Sequence, residues 1–298
     1  MQKQQIRIHR ISFTSRALSC ALITLAPIAT INAQAANQNL AIDFRTTVTT
    51  SDAPDTGVIV GHAVGSADKV RMDLTMKGAG AQTTPLAADG SMSMILTDSG
   101  KTVTYLDTKG SRYIRMRPAD MLAQSQQMGV KMDFTNTKAT VDSLGAGPAI
   151  LGHPTTHYRI GTGMTMNVSA MGQQQTVTIA STSDYYYATD IKGSVNPFSS
   201  FSGADMASAL TGSNKDFADK MKAVQAKLPK GTPLKATSSA TMTIAGMPPR
   251  VTNTDAIVTG IKWVPADPKA FEVPASYKAL DMSSLNPQGQ SGGAIPPR

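Results

Sequence analysis

The sequence has 298 residues and carries 28 Lys and Arg against 20 Asp and Glu, a formal net charge of +8. Charged residues make up 16% of the chain, against roughly 25% in an average soluble domain. Hydrophobic residues make up 41%, which is near the usual level. This composition excludes a disordered polyelectrolyte and a bundle of membrane-spanning helices.

The first 35 residues have the pattern of a cleaved secretory signal. A positive head without acids is followed by an apolar run, residues 17–31, and by the small-residue pattern Ala33-Gln34-Ala35. A membrane anchor is the alternative, but Pro27 interrupts a run already shorter than the roughly 20 residues that a span needs. The positive residues of the head are Lys3, Arg7, Arg10 and Arg16.

Removal of this segment changes the charge and leaves no cysteine. The remaining 24 Lys and Arg exceed the 20 Asp and Glu by four, which is too small and too scattered an excess for a nucleic-acid binder. Cys20, the only cysteine, lies inside the signal and before most of its apolar run, so lipid attachment there is disfavoured. The mature chain thus has no thiol nucleophile, redox pair or thiolate metal site.

The same features predict the compartment and the domain organisation. We expect an exported protein of the bacterial periplasm, without a transmembrane span in the mature chain. Its length allows one large core that folds without disulfides. We expect a single domain at residues 36–282 and a disordered tail rich in Pro and Gly at residues 283–298.

Most of the domain alternates apolar and polar side chains with a period of two, as strands with one buried face do. Polar residues such as Asp43, Arg71 and Asp73 fall between the apolar ones, so the opposite face is predicted to be wet. The apolar members of these runs are Leu40, Ile42, Phe44, Val48, Met72, Leu74, Met76, Met92, Met94, Leu96, Ile114, Met116, Val177, Ile179, Met242 and Ile244.

Short turn signals separate these runs, each with a Gly or Asp that tolerates the positive φ of a tight hairpin. They are Ala88-Asp89-Gly90, Asp98-Ser99-Gly100-Lys101, Thr108-Lys109-Gly110, Gly161-Thr162-Gly163 and Met171-Gly172. We expect about ten to twelve strands, joined by consecutive hairpins into one large, curved antiparallel meander.

Two stretches break this period and predict helices. Residues Pro118–Met128 are compatible with a short helix. Residues Asn214–Leu228 predict a longer one, because Asp216 lies in the positive first turn and Pro229 with Gly231 ends it. This helix is roughly 22 Å long, enough to cover the apolar face of the sheet. Its apolar residues recur at helical spacing and are Phe217, Met221, Val224 and Leu228.

No established catalytic motif occurs in the predicted domain. The nucleophile pattern Gly-x-Ser-x-Gly occurs only at Gly289-Gln290-Ser291-Gly292-Gly293, in the Pro- and Gly-rich tail and not between a predicted strand and a helix. The zinc-protease pattern His-Glu-x-x-His and the phosphate loop are missing. Gly100-Lys101-Thr102 lacks the first Gly of such a loop, because Ile95 stands there. Glu272 is the only glutamate, and the aspartates are spread singly. We therefore expect no catalytic residue and no cofactor.

The segment His153-Pro154-Thr155-Thr156-His157 places two imidazoles four residues apart, which resembles part of a metal site. The proline prevents the helical turn that would bring both rings to one ion, and no third ligand is adjacent. In the alternative interpretation, His153 lies on a turn and His157 faces water, while Tyr158 and Ile160 pack inward. We expect no metal site.

Methionine is abundant, with 17 residues in the chain, many of them on predicted apolar strand faces. Met92-Ser93-Met94 and Met164-Thr165-Met166 resemble Met-x-Met pairs that bind Cu(I), but alternate side chains on a strand stand about 6.6 Å apart. Unbranched, polarizable side chains suit a surface that adapts to flexible apolar guests. The alternative is an ordinary core in which methionine fills gaps.

Three segments carry a resemblance to a known family. They are Gly152-His153-Pro154-Thr155-Thr156-His157-Tyr158-Arg159, Lys69-Val70-Arg71-Met72-Asp73 and Phe271-Glu272-Val273-Pro274-Ala275-Ser276-Tyr277-Lys278. Over roughly residues 40–282 the chain resembles an exported bacterial family of unknown function that is related to the periplasmic lipoprotein carriers LolA and LolB. The resemblance implies an unclosed antiparallel half-barrel whose concave apolar face is covered by helices and receives acyl chains.

These observations lead to a first hypothesis, a non-catalytic periplasmic protein that binds a lipid or a lipoprotein acyl chain. The helix at residues 214–228 is then a lid over an apolar half-barrel cavity. The residues expected to line that cavity are Phe44, Met72, Leu74, Met76, Met92, Met94, Met116, Met164 and Met166.

Two further hypotheses come from other classes of protein. One is a structural or interaction protein of the cell envelope, with a filled core and a protein partner on a polar face that bears Arg71, Arg115, Arg117 and Arg159. The other is a hydrolase or metal-dependent enzyme, which would require a concave cluster of His and Asp.

Overall fold

The computed structural model describes residues 38–66, 68–78, 90–98, 101–117, 120, 130–170, 173–191 and 215–280. Within these ranges, twelve strands form one unclosed and mostly antiparallel sheet. The predicted fold class, a β-rich half-barrel, is confirmed. The predicted signal and the predicted tail lie outside the described residues, and Pro118–Met128 is described only at Asp120.

The strands vary from two to twenty residues in length. They are β1 (Gln38–Thr50), β2 (Ala53–Gly65), β3 (Val70–Lys77), β4 (Ser91–Thr97), β5 (Thr102–Asp107), β6 (Arg112–Met116), β7 (Lys131–Ile150), β8 (His153–Ala170), β9 (Gln173–Ala188), β10 (Thr232–Ile244), β11 (Arg250–Pro265) and β12 (Lys278–Ala279).

The order of the strands differs from one continuous meander. The sheet runs β12-β6-β5-β4-β3-β2-β1-β11-β10-β9-β8-β7. Two meanders, β1 to β6 and β7 to β11, therefore meet at the centre, where β1 pairs with β11 and Phe44 faces Val258. Hairpin signals predict pairing only between strands that are consecutive in the chain, so they do not predict this long-range pairing. The short β12 pairs with β6 in parallel.

The apolar positions predicted from the period of two lie on one face of the sheet, called here the apolar face. Burial alternates along β3, where Met72 and Leu74 are buried and Lys77 is exposed. The register joins these positions across strands, since Ala63 faces Met72, which in turn faces Met94. Fifteen buried residues form the main cluster on this face, and they include residues of β1, β3, β4, β10 and β11.

The described helix, α1 (Lys215–Lys227), confirms the predicted long helix. Asp216 lies in its first turn and Lys227 in its last, where each charge is favourable to the helix dipole. Its apolar stripe buries Phe217, Met221 and Val224. The helix packs beside β7, at one edge of the sheet. No helix in the described ranges has the length and apolarity of a membrane span.

The predicted hairpin turn at Gly161-Thr162-Gly163 is wrong, because these residues lie inside β8. Gly161 faces Thr140 of β7 and Thr182 of β9. A Cβ atom at Gly161 would lie 2.8 Å from Oγ1 of Thr140. This glycine therefore makes room for a cross-strand side chain. A sequence pattern does not distinguish such a strand glycine from a glycine in a turn.

A segment after β11 crosses the opposite face of the sheet, called here the polar face. It contains a short 3-10 helix, Pro268–Phe271, whose N-cap residue Asp267 accepts a hydrogen bond from the backbone N–H of Lys269. Phe271 is buried against Ile95 and Leu106. Part of the face that the period predicted to be wet is therefore covered.

Candidate functional site

The nine residues predicted to line a cavity all belong to strands of one sheet, and the register places them on the apolar face. Leu74 faces Met92, and Met116 faces Val103. On the other meander, Met164 faces Ile179. The buried members are Phe44, Met72, Leu74, Met76 and Met94, and the partly exposed ones are Met92, Met116, Met164 and Met166.

These residues occupy two regions of the apolar face rather than one. Four of them, Phe44, Met72, Leu74 and Met94, belong to the main cluster, and Met92 packs against it. Met164 instead packs against a separate pair on α1. Six strands lie between β4 and β8 in the sheet. The predicted lining residues therefore do not form one cluster.

Helix α1 covers only one end of this face. Phe217 and Met221 pack with Ala139 of β7 and Met164 of β8. The next turn of the helix packs on β8 to β10 through a cluster of Ile160, Tyr185, Tyr187, Val224, Leu228 and Ala236. Of the nine predicted lining residues, α1 shares a described apolar cluster with Met164 alone.

Polar contacts fix the first turn of α1 to the edge strand. The hydroxyl of Thr137 in β7 donates to Oδ2 of Asp216 at 2.5 Å. Lys220 donates to the same carboxylate at 2.5 Å and to the carbonyl oxygen of Thr137 at 3.0 Å. The bonds from Lys220 and Thr137 hold the pKa of Asp216 below its usual value. These three side chains form the helix anchor.

A tyrosine hydroxyl lies beneath the second half of the helix. Tyr187 is 1% exposed, and its hydroxyl has no hydrogen-bond partner in the part of the chain that the structure describes. Burial raises the pKa of Tyr187 well above its usual value. The ring lies edge-on to Tyr158 with centroids 6.0 Å apart. The helix-covered end of the apolar face thus contains one polar atom in apolar surroundings.

The four arginines predicted to serve a protein partner all lie on the polar face, but two of them have carboxylate partners in the sheet. Arg71 donates to both carboxylate oxygens of Asp73 at 3.2 Å. Arg159 donates to Asp184 at 2.8 and 3.1 Å. These two guanidinium groups are therefore engaged within the sheet, which leaves Arg115 and Arg117 as the more available ones.

The two histidines that resembled a partial metal site bind different carboxylates. His153 lies 2.8 Å from Asp190, and His157 lies 3.0 Å from Asp184. Four residues of strand span about 13 Å, so their rings do not meet at one ion. No group of three or more His, Cys, Asp or Glu side chains suited to a metal occurs in the described ranges.

The polar face carries a cavity of about 440 Å³ that the sequence did not predict. It lies between strands β4 to β6 and the segment that follows β11. Its lining residues are Ile95, Thr97, Asp98, Thr102, Thr104, Arg115, Arg117, Phe271, Glu272 and Val273. The period of two placed the arginines and threonines on one face, but nothing local in the sequence indicated that residues 271–273 form the other wall.

Comparison of the chain with protein-family models, with curated proteins and with solved structures finds no match.

Proposed function

We propose that the protein is a non-catalytic periplasmic binder of a lipid or acyl chain, which it holds on the apolar face of the half-barrel. The observation that carries the proposal is that all nine predicted lining residues, most of them methionines, lie on one face of a sheet that does not close. The helix α1 contacts only the β7 end of that face. The signal-like residues 1–35 support export to the periplasm.

The chemistry of the apolar face suits an acyl chain. Each methylene group that leaves water contributes about 0.8 kcal/mol, so a long chain binds without any directed polar contact. Methionine side chains are unbranched and polarizable, and they adjust to guests of different length and unsaturation. The partly exposed Met92, Met116, Met164 and Met166 are the residues that an entering chain would meet first.

The position of α1 suits a movable cover. The helix packs on β7 to β10 through its side chains and contributes no strand to the sheet. Its anchor joins side chains that are partly open to solvent, with Asp216 63% and Lys220 40% exposed, and exposed ion pairs contribute little. Displacement of the helix would therefore leave the twelve-stranded sheet intact.

Lipid extraction tests the proposal directly. The exported protein is purified from cells without detergent and extracted with organic solvent, and the extract is analysed by mass spectrometry. We expect a stoichiometric acyl lipid. In parallel, delipidated protein is titrated with the fluorescent fatty acid cis-parinaric acid, and we expect saturable binding at micromolar concentration or below.

A pair of matched variants distinguishes the apolar face from other surfaces. Met92→Gln keeps the length of a lining side chain but removes its apolar character, and we expect it to weaken cis-parinaric acid several-fold. Met247→Gln makes the same change at a turn where the methionine is 46% exposed, and we expect no effect. Absence of extracted lipid together with no saturable binding would refute the proposed function.

A further inference from the structure

The cavity on the polar face is formed by two parts of the chain that are remote in sequence. One wall is the outer surface of β4, β5 and β6, and the other is the segment Phe271–Val273. Phe271 fixes this second wall, since it is 7% exposed and packs on Ile95 and Leu106. At about 440 Å³ the cavity lies in the usual size range of small-molecule sites.

The strand wall presents hydrogen-bond donors in cross-strand rows. Arg115 faces Thr104, which faces Ile95 on the next strand. Thr97 faces Thr102 in the neighbouring row. Arg117 comes two residues after Arg115, so its side chain belongs to the same face. The wall therefore combines two guanidinium groups with three hydroxyl groups.

The two arginines of the cavity differ from Arg71 and Arg159 in how they are engaged. Arg115 makes one long hydrogen bond of 3.4 Å to the hydroxyl of Thr104 and lies over the ring of Tyr113. No ion pair of Arg115 or Arg117 occurs among the described residues. A guanidinium group binds carboxylate or phosphate through two parallel hydrogen bonds, and these two have donors left for such a bond.

The remaining lining residues indicate which other chemical groups the ligand should carry. Ile95, Phe271 and Val273 supply an apolar patch beside the arginines. Asp98 accepts a hydrogen bond of 3.0 Å from the hydroxyl of Thr102, while Glu272 is exposed at the rim. The ligand should therefore carry an anionic group and an apolar group next to each other.

We propose that this cavity is a binding site for a small organic anion, in which Arg115 and Arg117 bind a carboxylate or phosphate group and Ile95, Phe271 and Val273 bind an adjoining apolar group. The site lies on the face opposite to the proposed acyl site, so neither proposal depends on the other.

Isothermal titration calorimetry with three simple probes tests the chemistry of the site. The probes are 3-phenylpropionate, phenyl phosphate and the neutral analogue 3-phenylpropanamide. We expect at least one of the anions to bind with a stoichiometry of one, and the preferred anion identifies carboxylate or phosphate. We expect the neutral amide to bind at least about tenfold more weakly, because it lacks the charge-assisted hydrogen bonds.

Variants place the binding at the cavity. We expect Arg117→Gln to weaken the preferred anion by about tenfold or more, and Glu272→Gln to tighten it because a nearby negative charge is removed. Arg45→Gln is the matched control, since Arg45 is exposed on the same face but does not line the cavity. Thermal unfolding of each variant checks that it is folded.

Three outcomes would overturn the proposal. They are failure of both anions to bind at millimolar concentration, equal binding of the neutral amide, and equal loss of affinity in Arg117→Gln and Arg45→Gln. Loss of lipid binding in the same protein samples would bear only on the proposed function, since the two sites lie on opposite faces.

Discussion

Asp184 of β9 is bonded to the neighbouring strand β8 on the polar face. It accepts hydrogen bonds from Arg159 and from His157, both on β8. The ring of His157 also stacks on Tyr186, with centroids 4.4 Å apart. Burial by itself raises the pKa of Asp184, but the bonds from Arg159 and His157 outweigh it and hold the pKa below its usual value of 3.8.

The lowered pKa of Asp184 predicts an acid-sensitive contribution to stability. A carboxyl group whose pKa is lower in the folded state stabilises the fold above the unfolded pKa, and this stabilisation is lost as the pH falls through the folded pKa. We expect Asp184→Asn to reduce the free energy of unfolding by about 1–2 kcal/mol at pH 7, measured with urea. Below pH 3.8 the difference from the natural protein should shrink, and a difference that is constant with pH would contradict the assignment.

Gly61 shows how a missing side chain makes room for a large one. It faces Phe44 across β1 and β2, and a Cβ atom at Gly61 would lie 2.2 Å from Cζ of Phe44. Phe44 is 6% exposed and belongs to the main apolar cluster. An added methyl group must therefore displace a ring in a packed region.

We expect Gly61→Ala to lower the free energy of unfolding by about 1–3 kcal/mol, as overpacking does. Gly57→Ala is the control on the same strand, because a Cβ atom there meets its nearest atom at 3.7 Å. Urea unfolding of the two variants makes the comparison, and equal destabilisation by both would show that loss of glycine, not the contact with Phe44, matters.

At the level of elements, the edge strand β7 is more irregular than β9 and β10, whose mutual pairing shifts register once, between Pro233 and Lys235. Its pairing with β8 shifts register at three places, and Asn136 and Gly145 have φ angles of 52° and 89°. Bulges twist an edge and disfavour pairing with another chain. The first of these shifts also includes Thr137, the member of the helix anchor that lies on β7.

The helix anchor predicts how α1 moves. We expect Asp216→Asn to speed amide hydrogen exchange in α1 several-fold, since it weakens the bonds to Thr137 and Lys220. Asp219→Asn is the matched control, because Asp219 pairs with the exposed Lys215 on the same helix and not with β7. If Asp219→Asn accelerates exchange equally, helix charge rather than the anchor controls the motion.

At the level of the whole molecule, the central pairing of β1 with β11 holds the two meanders together. Without β11, the inner edges of β1 and β10 would both be left unpaired in the sheet. Open strand edges promote aggregation. Chains that depend on such long-range pairing also fold slowly, because the connecting loop must be closed first.

Truncation tests the role of this pairing. We expect a chain that ends at residue 249, before β11, to be insoluble or unfolded by circular dichroism. We expect a chain that ends at residue 280, after β12, to fold with the stability of the full chain. A folded, monomeric product from the shorter chain would show that each meander is an independent unit.

The sequence predicted those features of the fold that depend on local physical rules. The period of two correctly indicated the buried side of β3, and helical spacing with Asp216 located α1 within one residue at each end. Strand β4 is instead buried on both sides, because Met94 and Ile95 are each 2% exposed. It could not predict that Phe44 faces Val258, because register between distant strands depends on the whole fold. For the same reason, the wall that Phe271 adds to the cavity had no local signal.

The central position of β1 has a consequence during protein synthesis. The amino end of the chain leaves the ribosome first. Strand β1 is therefore among the first strands to emerge, while its neighbour β11 is among the last. The nascent chain must therefore keep one side of β1 covered while most of its length is still being made. A chaperone that holds the chain until Arg250–Pro265 can pair with β1 would meet this requirement.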